Sequence, residues 1–216
     1  MKKGAIFDQD GLMFDTEAVF RRAWGLAGER LGVTVPTEFL SAVSGTCGET
    51  MRRALREWFP GVDCDAFKEL TYEISYEMQS HGVPEKPGLH EILEYFRSQG
   101  VKMAVASSSH RQPIQRNLEQ SGIRSCFEAV VSCEDVSQGK PDPEVFLTAA
   151  KRLGLSPADC YVFEDSYNGV RAGHAAGCRT VMIPDLHQPD EEIAKYYDAC
   201  FPDLLAALEA IKNGEI

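Results

Sequence analysis

Two aspartates, Asp8 and Asp10, follow a short apolar run, Ala5-Ile6-Phe7, and directly precede Gly11. In an extended chain, residues two apart point to the same side, so both carboxylates face one spot beyond the end of a strand. Two carboxylates this close repel each other unless a cation or a proton lies between them. The pair therefore suits a divalent metal ion, with one aspartate as nucleophile and the other as acid and base. Taken alone, the pattern is more typical of a simple loop, since Asp and Gly are common turn residues.

A run of serines and a lysine occupy comparable places further along the chain. Ser107, Ser108 and Ser109 follow the apolar run Val101 to Ala106, where hydroxyls and backbone N–H groups suit a phosphate oxygen, the alternative being a helix cap. Lys140 lies in a Pro-rich turn ahead of a helical segment. There it can place a positive charge on a phosphoryl group, the alternative being a surface lysine.

A second acidic pair, Glu164 and Asp165, follows the apolar run Tyr161-Val162-Phe163. Carboxylate oxygens at a strand end are hard ligands of the kind that Mg²⁺ prefers, and the alternative is a helix N-cap. All four groups stand where a predicted strand gives way to a helix, and separate turns and caps would not produce that coincidence. We therefore predict that they meet in a single crevice at one edge of a sheet.

The elements that must position these groups follow from the hydrophobic pattern. Five short apolar runs without solvent-facing alternation alternate with amphipathic helical segments, which predicts a parallel α/β sheet covered by helices on both faces. The predicted strands are Ala5 to Phe7, Val101 to Ala106, Ala129 to Val131, Tyr161 to Phe163 and Thr180 to Ile183. Helices are predicted from Pro87-Gly88 to about Gln99, from Asp142-Pro143 to Leu153, and from Asp203 onward.

The stretch from 15 to 84 breaks this alternation. It contains three amphipathic helical segments, Glu17 to Leu31, Glu49 to Trp58 and Asp65 to Gln79, and no strand pattern. We therefore predict a Rossmann-like catalytic core made of residues 1–14 and 85–216, with a helical cap domain of residues 15–84 inserted after the first strand. The segment Val83 to Pro87, which contains two prolines, is the predicted return hinge.

Composition excludes several classes of protein. The net charge of −11, without a basic cluster, argues against nucleic-acid and anionic-membrane partners. No apolar run approaches the ~18 residues that span a bilayer, so we expect neither secretion nor membrane insertion. The seven cysteines are an odd number without a Cys-x-x-Cys pair, which favours reduced thiols in a cytoplasmic protein.

Four segments in this order resemble the four motifs of the haloacid dehalogenase-like hydrolase superfamily: Phe7-Asp8-Gln9-Asp10-Gly11, Val105-Ala106-Ser107, Gly139-Lys140-Pro141 and Phe163-Glu164-Asp165-Ser166. The segment Asp15-Thr16-Glu17 and the helical insertion resemble the subgroup that contains β-phosphoglucomutase and many sugar-phosphate phosphatases. The resemblance spans essentially the whole chain.

The resemblance implies a role for each matching residue. Asp8 would form an aspartyl-phosphate, and Asp10 would protonate the leaving oxygen and then activate water. Ser107 would bind the phosphoryl group and Lys140 would neutralise charge. Beside these, Ser108 of the serine run and Thr16 of the insertion are candidate substrate or phosphate contacts by their position in the sequence. Mg²⁺ would be held by Asp8, the backbone carbonyl of Asp10, and Asp165, with Glu164 in support. The implied substrate is a small phosphorylated metabolite such as a sugar or polyol phosphate.

Three functions stay open at this point: a phosphatase, a phosphomutase of the β-phosphoglucomutase type, and a catalytically silent metabolite-binding protein. Relatives that act as β-phosphoglucomutases carry a His at the position of Phe20 and an Arg at the position of Gly45, so the phosphatase is favoured. Asp10 argues against dehalogenation, because dehalogenases of the superfamily lack that aspartate. Trp24, Thr46 and Met51 are further candidate leaving-group contacts, the alternative for Trp24 and Met51 being helix packing. The oligomeric state stays open, with a monomer as one option.

Overall fold

The computed structural model describes residues 1–43, 48–186 and 188–216. Within it the chain divides into two compact units. One consists of Met1–Phe14 together with Pro84–Ile216, and the other of Asp15–Val83. Gly45 and Thr46, which the sequence analysis singled out, lie outside the described residues.

The first unit is built on a parallel six-stranded sheet with the strand order β3-β2-β1-β4-β5-β6. The predicted fold class, an α/β protein with a Rossmann-like parallel sheet, is confirmed. The strands are β1 (Gly4–Phe7), β2 (Lys102–Ala106), β3 (Ala129–Val131), β4 (Cys160–Glu164), β5 (Arg179–Met182) and β6 (Ala199–Cys200). The last of these was not predicted from the sequence.

Helices alternate with the strands of the first unit and fill the second. In chain order they are α1 (Thr16–Arg30), α2 (Thr37–Val43), α3 (Gly48–Trp58), α4 (Cys64–Ser80), α5 (Leu89–Ser98), α6 (Arg111–Gln120), α7 (Glu144–Leu153), α8 (Tyr167–Ala175) and α9 (Leu204–Lys212). Short 3₁₀ turns occupy Arg124–Cys126, Cys133–Asp135, Pro157–Asp159 and Ile193–Lys195. In the described part of the chain, no helix has both the length and the apolar character needed to cross a membrane.

The central strands of the sheet are buried. All four residues of β1 and all five of β4 are buried, as expected for parallel strands that are covered on both faces. Phe7 of β1 stacks on Phe163 of β4 with ring centroids 4.9 Å apart, and Phe96 of α5 meets the edge of the Phe7 ring at 6.2 Å. This aromatic contact holds together the two strands whose ends carry the acidic pairs.

Local capping fixes where the helices begin. Asp203 accepts a hydrogen bond from the backbone N–H of Ala206 at 2.8 Å and so caps α9, in agreement with the predicted start. Gly88 precedes α5 with φ of +86°, and a Cβ there would meet the backbone of Leu204 and Leu205. A glycine is therefore required at the entry to α5.

The regular secondary structure in the described part of the second unit is helical, and this unit has its own aromatic core. The ring of Trp24 meets those of Phe39 and Phe67 edge-on, at centroid distances of 5.3 Å and 5.1 Å. Trp24 and Met51 are both buried in this core, so the helix-packing alternative applies to them. Helix α2 was not predicted, because seven residues carry too short a hydrophobic pattern.

The two places where the chain leaves and re-enters the first unit are adjacent. Phe14 and Glu85 form an isolated antiparallel bridge, and the backbone N–H of Lys86 donates to the carbonyl of Met13 at 2.9 Å. The predicted return hinge therefore pairs with the segment that follows the first aspartates.

Candidate active site

The first acidic pair lies at the carboxyl end of the sheet. Phe7 is in register with Phe163, and the backbone N–H of Asp8 donates to the Phe163 carbonyl at 3.0 Å. Asp8 therefore stands beside Glu164, at the point where strand order reverses between β1 and β4. Ligands of open α/β sheets bind in the crevice at such a point.

Lys140 reaches this crevice from the turn that precedes α7. Its ammonium nitrogen lies 2.5 Å from Oδ1 of Asp8, 2.6 Å from Oε1 of Glu164 and 3.2 Å from the carbonyl of Ala106. The side chain is only 6% exposed, so the alternative of a surface lysine is wrong. One buried ammonium group thus joins the ends of β1, β2 and β4.

Burial dominates the electrostatics of these groups. It raises the pKa of Asp8 to about 7, and the charges of Glu164 and Asp10 act in the same direction while Lys140 opposes them. Burial and the charges of Glu164 and Asp8 likewise raise the pKa of Asp165 well above its usual range. Burial lowers the pKa of Lys140, but Asp8 and Glu164 outweigh it and the net shift is upward. The crevice therefore holds more acidic groups than one ammonium group can neutralise.

The same carboxylates fit a divalent cation. Among the described residues, one oxygen each from Asp8, Glu164 and Asp165 lies within 4.8 Å of the others. Three hard oxygen donors and a deficit of positive charge match the requirements of Mg²⁺, which binds carboxylates and retains several waters. These three residues are the candidate metal ligands.

The carboxylate of Asp10 has different neighbours from that of Asp8. Its Oδ2 accepts hydrogen bonds from the hydroxyls of Ser107 at 3.1 Å and Ser109 at 2.7 Å, and Nε2 of Gln9 lies 3.5 Å from its Oδ1. Ser108 is exposed. Helix α6 begins after His110 without a side-chain cap, so the serines are not the cap of that helix. Asp8 is thus an ion-paired carboxylate, whereas Asp10 is held by hydroxyls.

Glu164 is fixed from a second side. Its Oε2 accepts hydrogen bonds from the backbone N–H and the hydroxyl of Ser166, at 2.8 Å and 2.9 Å. A Cβ on Gly169 would overlap the Glu164 carboxylate, so the helix can pass this close only with glycine there. The cap of α8 is Ser166, which accepts from the N–H of Gly169 at 3.1 Å, and the acidic pair is not that cap.

Sequence reasoning missed two of the residues that hold Asp10. Ser109 was part of the serine run, but spacing alone did not show that its hydroxyl, and not that of Ser108, points to Asp10. Gln9 lies between the two aspartates and is completely buried, which its polarity does not predict. Thr16 is the first residue of α1, in the second unit, and its side chain is buried.

Residues 5–183 match the family model described as "Haloacid dehalogenase-like hydrolase". The chain belongs to this family. The resemblance inferred from the four motifs is thereby confirmed, and it covers most of both units.

Several proteins that resemble this chain have phosphatase names. The chain is 30% identical over 180 residues to the phosphorylated carbohydrates phosphatase of Thermotoga maritima, covering 83% of each protein. It is 35% identical over 150 residues to the bifunctional riboflavin kinase/FMN phosphatase of Arabidopsis thaliana, where the match takes in 69% of this chain but spans only 39% of that longer protein. A Thermotoga maritima crystal structure whose name refers to beta-phosphoglucomutase superimposes with a TM-score of 0.84 at 26% identity, covering 98% of this chain and 99% of the other.

Proposed function

We propose that this protein is a Mg²⁺-dependent phosphatase that hydrolyses a small phosphorylated metabolite, such as a sugar or polyol phosphate, with Asp8 as the nucleophile. The observation that carries the proposal is the position of Lys140, buried between Asp8 and Glu164 at the carboxyl edge of the sheet. An ammonium group in that place favours the ionised form of the nucleophile, against the effect of burial, and offers positive charge to a phosphoryl group. The phosphatase names of the relatives support this assignment.

In the first step, a carboxylate oxygen of Asp8 attacks phosphorus while the bond from phosphorus to the ester oxygen breaks. Asp10 gives its proton to the departing oxygen, and an aspartyl-phosphate remains on Asp8. In the second step, Asp10 takes a proton from water as the water oxygen attacks phosphorus. The bond between phosphorus and Asp8 then breaks, which releases inorganic phosphate, regenerates the Asp8 carboxylate and leaves Asp10 protonated for the next cycle. Asp10 suits the exchange because the hydroxyls of Ser107 and Ser109 orient it independently of Lys140.

We propose that Asp8, Glu164 and Asp165, with the backbone carbonyl of Asp10, hold the Mg²⁺. When bound, the ion supplies the positive charge that buried carboxylates and phosphoryl oxygens require. In the free protein the Ser107 hydroxyl donates to Asp10. We propose that it turns to the phosphoryl group when the substrate binds, which leaves Ser109 to hold Asp10, and that Ser108 and Thr16 are further contacts. These donors and Lys140 stabilise the charge that spreads over the phosphoryl oxygens in the transition state.

We further propose that residues 1–14 and 85–216 form the catalytic core and residues 15–84 a cap that selects the substrate. The acidic character of the chain, with a net charge of −11, supports a small metabolite over a nucleic acid or a membrane as partner. Reduced cysteines support a cytoplasmic location.

A mutase would use the same residues, with Asp8 returning the phosphoryl group to a second hydroxyl of the substrate. The assay that separates these functions incubates a panel of phosphorylated metabolites with Mg²⁺ and measures both inorganic phosphate and isomers. Release of phosphate identifies a phosphatase, isomerisation identifies a mutase, and binding without either identifies a silent binding protein.

The variant Asp8→Asn tests the nucleophile. We expect it to lose phosphate release, because an amide cannot attack phosphorus. Asp159→Asn is the matched control, since that carboxylate pairs with the exposed Lys3 at 3.3 Å. Equal activity of Asp8→Asn and the wild type would refute the mechanism.

A further inference from the structure

An ion pair outside the four motifs lies at the same edge of the first unit. The ammonium nitrogen of Lys86 is 2.6 Å from Oδ1 of Asp185, and the two side chains are 22% and 15% exposed. Asp185 follows β5, the strand next to β4. Lys86 belongs to the return hinge, where its backbone N–H donates to Met13. Neither residue has a part in the mechanism described above.

The second oxygen of Asp185 is buried and faces the acidic crevice. Oδ2 has no hydrogen-bond partner among the residues that the structure describes. A Cβ on Gly11, whose φ is +84°, would lie 3.3 Å from this oxygen and would overlap the carboxylate of Asp165. Asp165 and Asp185 therefore both face the bare Cα of Gly11, immediately beyond the first two aspartates.

An oxygen in this position needs a donor. A buried acceptor without a hydrogen bond costs about 1–3 kcal/mol, and more when it belongs to a charged group. The ion pair with Lys86 satisfies only Oδ1. A cation with its waters would supply that donor, since Mg²⁺ retains water molecules that donate hydrogen bonds.

We propose that Asp185 is a positioning residue for the divalent cation, with Oδ2 accepting a hydrogen bond from the cation's hydration shell while Oδ1 pairs with Lys86. The inference rests on the proposed function, because it assumes a cation held by Asp8, Glu164 and Asp165. It adds a fourth carboxylate to the site, outside the motifs that define the family.

The test is the affinity of the substrate-free protein for Mg²⁺ and Mn²⁺, measured by calorimetry after chelator treatment. Outer-shell partners of metal ligands typically contribute about 10–100-fold to affinity, and we expect Asp185→Asn to weaken binding about tenfold. Lys86→Met is expected to bind the cation at least as tightly as the wild type, because it removes a nearby positive charge. Glu191→Gln, an exposed carboxylate of the same connection, is the control for a simple loss of negative charge and should bind as the wild type does.

The opposite directions of the two variants separate this role from a structural one. If the pair only stabilised the loop, Asp185→Asn and Lys86→Met would act alike, and that result would overturn the inference. Should Asp185→Asn fail to fold, the double variant Lys86→Met/Asp185→Asn, which removes both charges of the pair, is compared with Lys86→Met and is expected to bind about tenfold more weakly.

The outcomes also distinguish the inference from the proposed function. If the wild type releases phosphate and binds Mg²⁺ while Asp185→Asn binds within twofold of it, only the inference is wrong. If the wild type binds no divalent cation and releases no phosphate from the panel, the proposed function is wrong and the inference is overturned with it.

Discussion

Replacing Lys140 with methionine removes the positive charge that two buried carboxylates share. The ammonium group makes contacts of 2.5 Å with Asp8 and 2.6 Å with Glu164, and the lysine side chain is 6% exposed. A hydrogen bond to a charged group contributes about 1.5–3 kcal/mol, and removal of one partner of a buried ion pair costs about 3–5 kcal/mol. We therefore expect Lys140→Met to lose about 4 kcal/mol of unfolding free energy near neutral pH, which a domain of about 5–15 kcal/mol can survive.

The loss of unfolding free energy in Lys140→Met should grow as the pH rises. The pKa of Asp8 in the folded wild type is about 7, above the unfolded value of about 3.9, so ionising Asp8 lowers stability as pH rises through 7. Lys140 is one of the groups that hold this pKa down, and without it the folded pKa rises further. Below about pH 6 both proteins carry a protonated Asp8, whereas above pH 7 only the wild type has a partner for the ionised form. The deficit should therefore grow with rising pH, by at most about 1.4 kcal/mol per pH unit for this group.

The assay is urea unfolding at pH 6.0 and 8.5 with EDTA present, so that no divalent cation replaces the missing charge. Lys3→Met is the control, because its ammonium group is 71% exposed and its ion pair with Asp159 should contribute less than about 1 kcal/mol. The reasoning is refuted if Lys140→Met loses no more unfolding free energy than Lys3→Met does, or if its loss relative to the wild type shrinks from pH 6.0 to 8.5. Adding Mg²⁺ at pH 8.5 should restore part of the stability of the variant.

Three further predictions concern other parts of the first unit. Gly169→Ala places a methyl group on the carboxylate of Glu164, so it should lower the melting temperature and reduce phosphate release at least tenfold. The control is Gly177→Ala. Gly177 has open space around it but a φ of +77°, so this variant should lower stability without reducing phosphate release. Asp135 accepts hydrogen bonds from Arg152 and from Ser132 that outweigh burial and lower its pKa, so its contribution is present above about pH 4 and is lost as pH falls. Asp135→Asn should therefore cost about 2 kcal/mol in urea unfolding at pH 7 and progressively less below pH 4, and a constant cost would contradict the assignment. Asp10→Asn should still release one equivalent of nitrophenol rapidly from p-nitrophenyl phosphate, because that leaving group needs no proton. Its steady-state turnover should fall about 10²–10⁴-fold, because no base then activates water. Stopped-flow absorbance that shows no such burst would argue against the two-step role of Asp10.

The sheet was predictable because its strands are apolar throughout. Continuous runs such as Tyr161 to Phe163 indicate parallel strands covered on both faces, and the structure has strands at all five predicted places. The sixth strand, Ala199–Cys200, has two partly exposed residues and carries no pattern that could be read. Such a short edge strand is defined by its pairing with β5, which only the folded chain shows.

The site was predictable to the extent that it depends on topology. Asp8, Lys140 and Glu164 each follow a strand or precede a helix, and parallel strands bring such positions to one edge. The roles assigned to them remain proposals. The pair Lys86 and Asp185 was not found, because its members are 99 residues apart and each is an ordinary residue of its own loop. Packing in the folded chain decides which carboxylate oxygen faces a given neighbour, so this orientation cannot be predicted from the sequence pattern.

The bridge between Phe14 and Glu85 makes the helical insertion separable from the sheet. Residues paired across an antiparallel ladder have Cα atoms about 4.5–5.5 Å apart, a gap that one or two glycines can close. A shortened gene that encodes residues 1–14 joined by such a linker to residues 84–216 should therefore yield a folded minimal hydrolase domain. Recombination at this one junction can exchange the entire insertion for another without altering a strand. If the insertion selects the substrate, as proposed, the choice of substrate can therefore change while the residues at the sheet edge stay the same.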